Sequence, residues 1–167
     1  MTISRDILRL KLNESLSALP PTLTRRDTRV PEIPGKAFAI IGVRRSGKTS
    51  FLWQLCAERL ARGADPRSQL LISLEDERLT GISVADLGWL IEEHVRQFPD
   101  VHRSRAVTLY LDEVQTVPGW EGLVRRLIDA GGFEIFVSGS SARLLSREVA
   151  TSLRGRAMAV LMHPFSF

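Results

Sequence analysis

Apolar residues along the chain follow two rhythms, short uninterrupted runs and longer stretches in which they recur every three or four positions. The clearest continuous run is Ala37–Val43, of the kind a strand covered on both faces needs, and Gln69–Leu74, Ala106–Leu111, Glu134–Val137 and Ala157–Leu161 are four further strand candidates. The periodic stretches predict helices. Ile7, Leu8, Leu12, Leu16 and Leu19 mark the first, which Pro20 and Pro21 stop. Ser50–Arg62 places Phe51, Leu52, Leu55 and Leu60 inward and ends at Gly63, Val84–Phe98 aligns Leu87, Leu90, Ile91 and Val95, and Trp120–Ile128 aligns Leu123, Val124, Leu127 and Ile128. Between the first helix and the first strand, Pro21–Lys36 carries Pro31, Pro34 and Gly35 with little periodicity and reads as a surface linker. Strands alternating with helices of these lengths predict an α/β fold of three layers, a parallel sheet of about five strands with helices on both faces.

A chain of 167 residues, 44% hydrophobic, buries one sizeable core and is too short for two ordinary domains. The expected division is a helix and linker over 1–36 and the α/β domain over 37–167. No run approaches the eighteen or so apolar residues of a membrane span, and Arg5, Asp6 and Arg9 fall where a signal peptide needs an apolar stretch, so a soluble cytoplasmic protein is expected. Cys56 is the single cysteine and lies in a helical stretch, which excludes a disulfide framework and makes it a small buried residue. The net charge is +4, but its distribution changes what that means. Residues 1–36 carry seven basic and four acidic side chains, residues 137–167 four and one, and the centre twelve and fourteen. Basic ends suit nucleic acid, an acidic partner or anionic lipid, and a solvated charged surface is the commoner reading. His94, His102 and His163 show no metal-ligand spacing and are assigned no site.

Three segments carry chemistry. Gly42-Val43-Arg44-Arg45-Ser46-Gly47-Lys48-Thr49, followed by Ser50, fits GxxxxGK[ST] directly after a strand and before a helix, the context that the phosphate-binding loop requires. Glycines let the backbone curl until its N–H groups face phosphate oxygens, and the helix N-terminus adds partial positive charge. Lys48 reaches the β and γ phosphates in this reading, and the Thr49 hydroxyl serves Mg²⁺. The second segment is the run ending in Asp112 and Glu113. In open α/β sheets the ligand sits off the carboxyl ends of strands, so Asp112 is placed to hold Mg²⁺ and Glu113 to act as general base on a water. An activated water argues for hydrolysis over transfer to an acceptor. The third is Ser138-Gly139-Ser140-Ser141, where a hydroxyl, Ser140 above all, either touches the γ phosphate or caps a turn. Arg143, Arg147, Arg154 and Arg156 follow. Arg156, at the start of a strand, can hardly reach its own subunit's γ phosphate; it is a candidate finger for a neighbouring subunit in a homo-oligomer or a structural residue paired to a carboxylate.

With these segments in place, the chain resembles the AAA-type ATPase domain of prokaryotic P-loop proteins that carry a further C-terminal domain. The resemblance rests on GVRRSGKTS, LYLDEVQTVPGWEGLVRRLID, FVSGSSARLLS and LRGRAMAVLMHPFSF. It implies an ASCE-type fold, with an extra strand between the loop strand and the Asp112 strand, and a Walker A/Walker B site that hydrolyses ATP with Mg²⁺. It also implies that relatives continue past Pro164-Phe-Ser-Phe167, so that a truncated chain coupled to an unknown protein partner is expected. A slow nucleotide-dependent switch is the alternative function, and a nucleic-acid-associated ATPase the third.

Overall fold

The computed structural model describes residues 2–31, 33–105, 107–140, 147 and 149–164. Helix α1 (Arg5–Ser17) opens at Ser4, whose hydroxyl accepts the Asp6 N–H, and it gives way to extended backbone at Ala18. Two prolines in succession disfavour helical backbone in the residue before each, which is why the turn containing Leu19 never forms. Leu19 was expected on the apolar stripe; it lies beyond the helix and is 85% exposed. Strand β1 (Ala37–Ile41) leads into α2 (Lys48–Ala61), β2 (Gln69–Ser73), α3 (Val84–Gln97), a short α4 (Pro99–Arg103), β3 (Val107–Asp112), α5 (Trp120–Ala130), β4 (Phe133–Gly139) and β5 (Ala157–Leu161). The sequence pattern gave no sign of α4, which is too short to show a period; β1 stops at Ile41, because Gly42 already belongs to the following loop.

All neighbouring strands are parallel, in the order β2-β3-β4-β1-β5. The expected insertion of a strand between the loop strand and the Asp112 strand is therefore present, and it is β4. Because side chains alternate across a strand, each run feeds two cores at once. Ala37, Ala39, Ile41, Leu109, Leu111, Ile135 and Val137 join Leu8 and Leu12 of α1, Leu87 and Leu90 of α3, and Leu123 and Val124 of α5. Phe38, Ile40, Tyr110 and Phe136 join Phe51, Leu52, Leu55 and Cys56 of α2 on the other face. The result is three layers, and burial pushes the Cys56 thiol up to about 11, as expected of an inert core residue.

On the α2 face the register places Phe38 opposite Phe136 and Phe136 opposite Tyr110, and the rings stack with centroids 5.5 and 5.4 Å apart. The Tyr110 hydroxyl donates to Gln69 Oε1 at 2.7 Å, and the Arg59 guanidinium covers the Phe136 ring at 5.0 Å. On the opposite face α3 begins with a capping box in which Ser83 and Asp86 satisfy each other's backbone N–H.

Two measurements probe this architecture. Leu12 is fully buried against the strands, so Leu12→Ala should lower the urea-derived unfolding free energy by about 2–5 kcal/mol; a loss under about 1 kcal/mol would mean that α1 is detachable. His94 is buried, its Nε2 donates to the Arg67 carbonyl at 2.7 Å and its Nδ1 has no partner, and burial holds its pKa below the ordinary 6.5. The unfolded chain thus takes up a proton below about pH 6.5 that the folded chain refuses, so the melting temperature should fall as pH drops from 6.5 downward. In His94→Gln that slope should flatten.

Candidate functional site

The parallel register brings the C-terminal ends of β1, β3 and β4 to one edge. Leaving β1, the backbone turns at Gly42, where an added Cβ would stand 2.6 Å from the Met162 carbonyl oxygen and still closer to Ser46 Oγ. Arg45 and Gly47 adopt left-handed backbone, with φ of 63° and 86°, and α2 begins at Lys48. The loop closes through Ser46 N–H to the Val43 carbonyl at 3.1 Å, and Lys48 Nζ reaches the same carbonyl at 3.0 Å. Lys48 is 4% exposed, whereas Val43, Arg44, Arg45, Thr49 and Ser50 face solvent. Ser46 Oγ is buried with no partner. A curled backbone at a helix N-terminus, with a lysine ammonium folded across it and no carboxylate within the loop, has the chemistry to receive polyphosphate oxygens.

Across the loop, the Thr49 hydroxyl donates to Asp112 Oδ2 at 2.8 Å, and the Ser138 hydroxyl donates to Asp112 Oδ1. Ser138 Oγ also accepts the Glu113 N–H at 3.0 Å. Burial raises the Asp112 pKa, and the bonds from Ser138 and Thr49 oppose the rise. Thr49 and Asp112 form an all-oxygen donor pair, the type that Mg²⁺ prefers.

Glu113 is the chain's departure from easy geometry. Its φ of 59° and ψ of 51° are left-handed, which for a non-glycine residue costs on the order of 1–3 kcal/mol. That turn swings the carboxylate back over the site. Glu113 Oε1 lies 3.8 Å from Lys48 Nζ, while Oε2 accepts Gln115 Nε2 at 2.6 Å and the Ser140 N–H at 3.1 Å. Gln115 Nε2 also donates to Ser140 Oγ at 3.2 Å.

Lys48, Thr49, Asp112, Glu113, Ser138 and Ser140 thus converge. Arg156 stands apart: its backbone carbonyl pairs with Ala37 at the opposite edge of the sheet, and its Nε is 2.9 Å from Asp129 Oδ1. Arg147 and Arg154 are exposed, and Ser141 and Arg143 lie outside the described residues. Among the described residues no three or more His, Cys, Asp or Glu side chains are grouped so as to hold a metal ion, and no described helix is long and apolar enough to cross a membrane.

Two residues at the site escaped the sequence pattern. Gln115 has its only signal in standing two residues after the paired carboxylates. Arg26, in the stretch read as a surface linker, sends Nη2 to the Ser46 carbonyl at 2.5 Å and Nη1 to the His163 carbonyl at 2.7 Å. Its backbone is held in turn by Gln54 of α2, whose amide accepts the Arg26 N–H at 2.8 Å and donates to the Arg26 carbonyl at 2.9 Å.

Ser138 is the joint between the two carboxylates. Ser138→Ala leaves the buried Glu113 N–H without an acceptor, and should cost about 1–3 kcal/mol in denaturant unfolding; Ser138→Thr, which keeps the hydroxyl, should lose less.

The chain is similar to known proteins in sequence and in fold. The family described as "AAA domain" matches residues 34–167. An uncharacterized protein of Methanocaldococcus jannaschii is 39% identical over 142 residues, covering 85% of this chain and 30% of that protein. An uncharacterized protein of Haemophilus influenzae is 33% identical over 129 residues, covering 77% and 31%. The chain therefore spans under a third of the length of these relatives. Among solved structures, Caenorhabditis elegans PCH-2 superposes with a TM-score of 0.53 at 17% identity, covering 78% of this chain and 36% of that one, a likeness of fold.

Proposed function

The chain belongs to the AAA domain family, and from that premise we propose that it binds Mg-ATP and hydrolyses it to ADP and phosphate where the β1 loop meets the ends of β3 and β4. The observation that carries the proposal is convergence. Thr49 of the loop and Asp112 of β3 share a hydrogen bond of 2.8 Å, and the Lys48 ammonium stands 3.8 Å from Glu113. A loop shaped for phosphates, a pair of oxygen ligands for a hard cation and a carboxylate able to take a proton occupy one edge of the sheet.

Each residue has a separable task. Backbone N–H groups of the Gly42–Thr49 loop hold phosphate oxygens, and Lys48 supplies the mobile cation beside them. Thr49 and Asp112 would hold Mg²⁺, which, when bound, neutralises charge on the phosphate oxygens. Glu113 accepts a proton from the water that attacks the γ phosphorus, as the bond from that phosphorus to the leaving ADP oxygen breaks. Gln115 and Ser140 orient the Glu113 carboxylate. The Arg156–Asp129 pair supports a structural role for Arg156 over that of an arginine finger.

A second reading, a slow nucleotide-dependent switch acting on a partner, draws support from the engagement of Glu113 Oε2 by both Gln115 and Ser140. A carboxylate held this way must loosen before it meets a water freely. Steady-state phosphate release, measured with and without DNA, separates both readings from a nucleic-acid-stimulated ATPase.

Lys48→Ala should lose tight binding of a fluorescent ATP analogue, and unchanged affinity in a folded variant would remove the phosphate-loop reading. Glu113→Gln should bind Mg-ATP about as well as the parent and hydrolyse it at least about tenfold more slowly, because the amide keeps the size but takes no proton. Asp112→Asn should instead weaken the Mg²⁺ dependence of binding. If both variants lost the same property to the same degree, the division of roles between the carboxylates would be wrong.

A further inference from the structure

We propose that Arg26 is a positioning residue for the phosphate cradle, holding the Ser46–Gly47 peptide from outside so that its N–H faces inward. The inference rests on the phosphate-loop reading given above and adds to it a residue from the N-terminal segment. It starts from the geometry of a single peptide group. In a trans peptide the C=O and the N–H point in opposite directions, so whatever fixes the carbonyl of Ser46 also fixes the direction of the N–H of Gly47. The Arg26 guanidinium takes that carbonyl in a 2.5 Å bond. A cation on the carbonyl also draws electron density from the peptide and makes the opposite N–H a stronger donor.

The neighbouring residue is shaped around this contact. An added Cβ on Gly47 would lie 2.8 Å from Arg26 Nη2, 3.3 Å from Nε and 3.4 Å from Cζ, so a side chain there would have to displace the guanidinium from its bond to Ser46. Gly47 also has φ of 86°, a conformation that side chains resist. Glycine at 47 thus answers two demands, one from the loop's own curl and one from Arg26.

Arg26 is itself held on two sides. Gln54 bonds both its N–H and its carbonyl, which anchors the backbone to α2, and Nη1 donates to the His163 carbonyl beyond β5. The adjacent Met162 N–H donates to the Ile41 carbonyl at 2.7 Å. Three separate stretches of chain therefore brace one loop peptide. Such bracing lowers the reorganisation needed when a phosphate arrives, so its loss weakens phosphate binding.

The test uses fluorescent ATP and ADP analogues on the parent, Arg26→Ala, Arg26→Lys and Lys48→Ala, together with the ¹⁵N-labelled Gly47 amide signal in nucleotide-free protein. The expected result is that Arg26→Ala folds cooperatively at a lowered melting temperature, since two charged hydrogen bonds are lost, binds ATP and ADP about tenfold more weakly by a similar factor, and shows an upfield-shifted Gly47 amide proton. Arg26→Lys, able to reach one of the two carbonyls, should recover part of both effects. A folded Arg26→Ala with parental affinity and an unmoved Gly47 signal overturns the proposal. Should Arg26→Ala fail to fold, Arg26→Lys carries the same comparison, and parental values there overturn it equally. Failure of the parent to bind nucleotide, with Lys48→Ala no different, sinks the phosphate-loop reading instead, and the Gly47 signal then decides alone whether Arg26 orients that peptide.

Discussion

Ser138 makes two bonds with one oxygen, donating to the carboxylate of Asp112 and accepting the N–H of Glu113. Everything at the sheet edge depends on that bridge. It follows from β4 lying between β1 and β3, where Val137 pairs with Leu111 and the next residue, Ser138, comes beside the last residue of β3. It fixes the point at which the chain leaves the strand and turns left-handed at Glu113, and so decides where the carboxylate goes. The same bridge holds Asp112 at hydrogen-bonding distance from Thr49, and through Thr49 the position of the sheet is referred to the start of α2. A hydroxyl of modest individual strength thereby joins three elements, and its influence comes from being shared.

The parts of this arrangement that could be read from sequence are those in which local pattern and chemistry coincide. Ala37–Ile41 is apolar because both faces of a parallel sheet are covered there, and continuity of the run was enough to find it; Ala157–Leu161 was found by the same continuity although, as the edge strand, it is only partly buried and Leu161 is exposed. Gly47, Lys48 and Thr49 stand in a fixed spacing, and Asp112 and Glu113 end an apolar run. Leu19 misled because it continues the period of α1 past the point where prolines forbid helix. Gln115 and Arg26 were illegible for a different reason. Their roles arise from contacts with residues distant in the chain or from a turn, and no periodicity marks a side chain whose partner is a backbone carbonyl. The linker reading of 21–36 was silent about the arginine within it.

The uneven charge also acquires a structural meaning. Basic residues of the N-terminal segment fold back onto carboxylates of the central region: Arg5 reaches Asp86 at 3.5 Å, Arg9 reaches Glu93 at 3.7 Å, Lys11 reaches Asp76 at 2.7 Å, and Arg25 reaches Glu58 at 3.7 Å. Arg78 joins Lys11 on Glu14, and together they hold its carboxyl at about 2. Much of the basic character that suggested an external polyanion is directed inward. The exposed members of these pairs contribute little each, and their collective effect is to set where α1 lies against α3 and the turn after β2.

The strand order has a consequence for the time course of assembly. The strand that carries the phosphate loop, β1, pairs with β4 and β5, whose residues lie roughly a hundred positions further along the chain. As the chain emerges from a ribosome, β1 and α2 appear early but find no sheet neighbour until nearly the whole domain has been made. β2 and β3, close in sequence, can associate first and wait for β4 to complete the centre. The loop after β1 and the end of β3 can therefore be brought together only once β4 has been made, and until then the apolar β1 has no sheet partner.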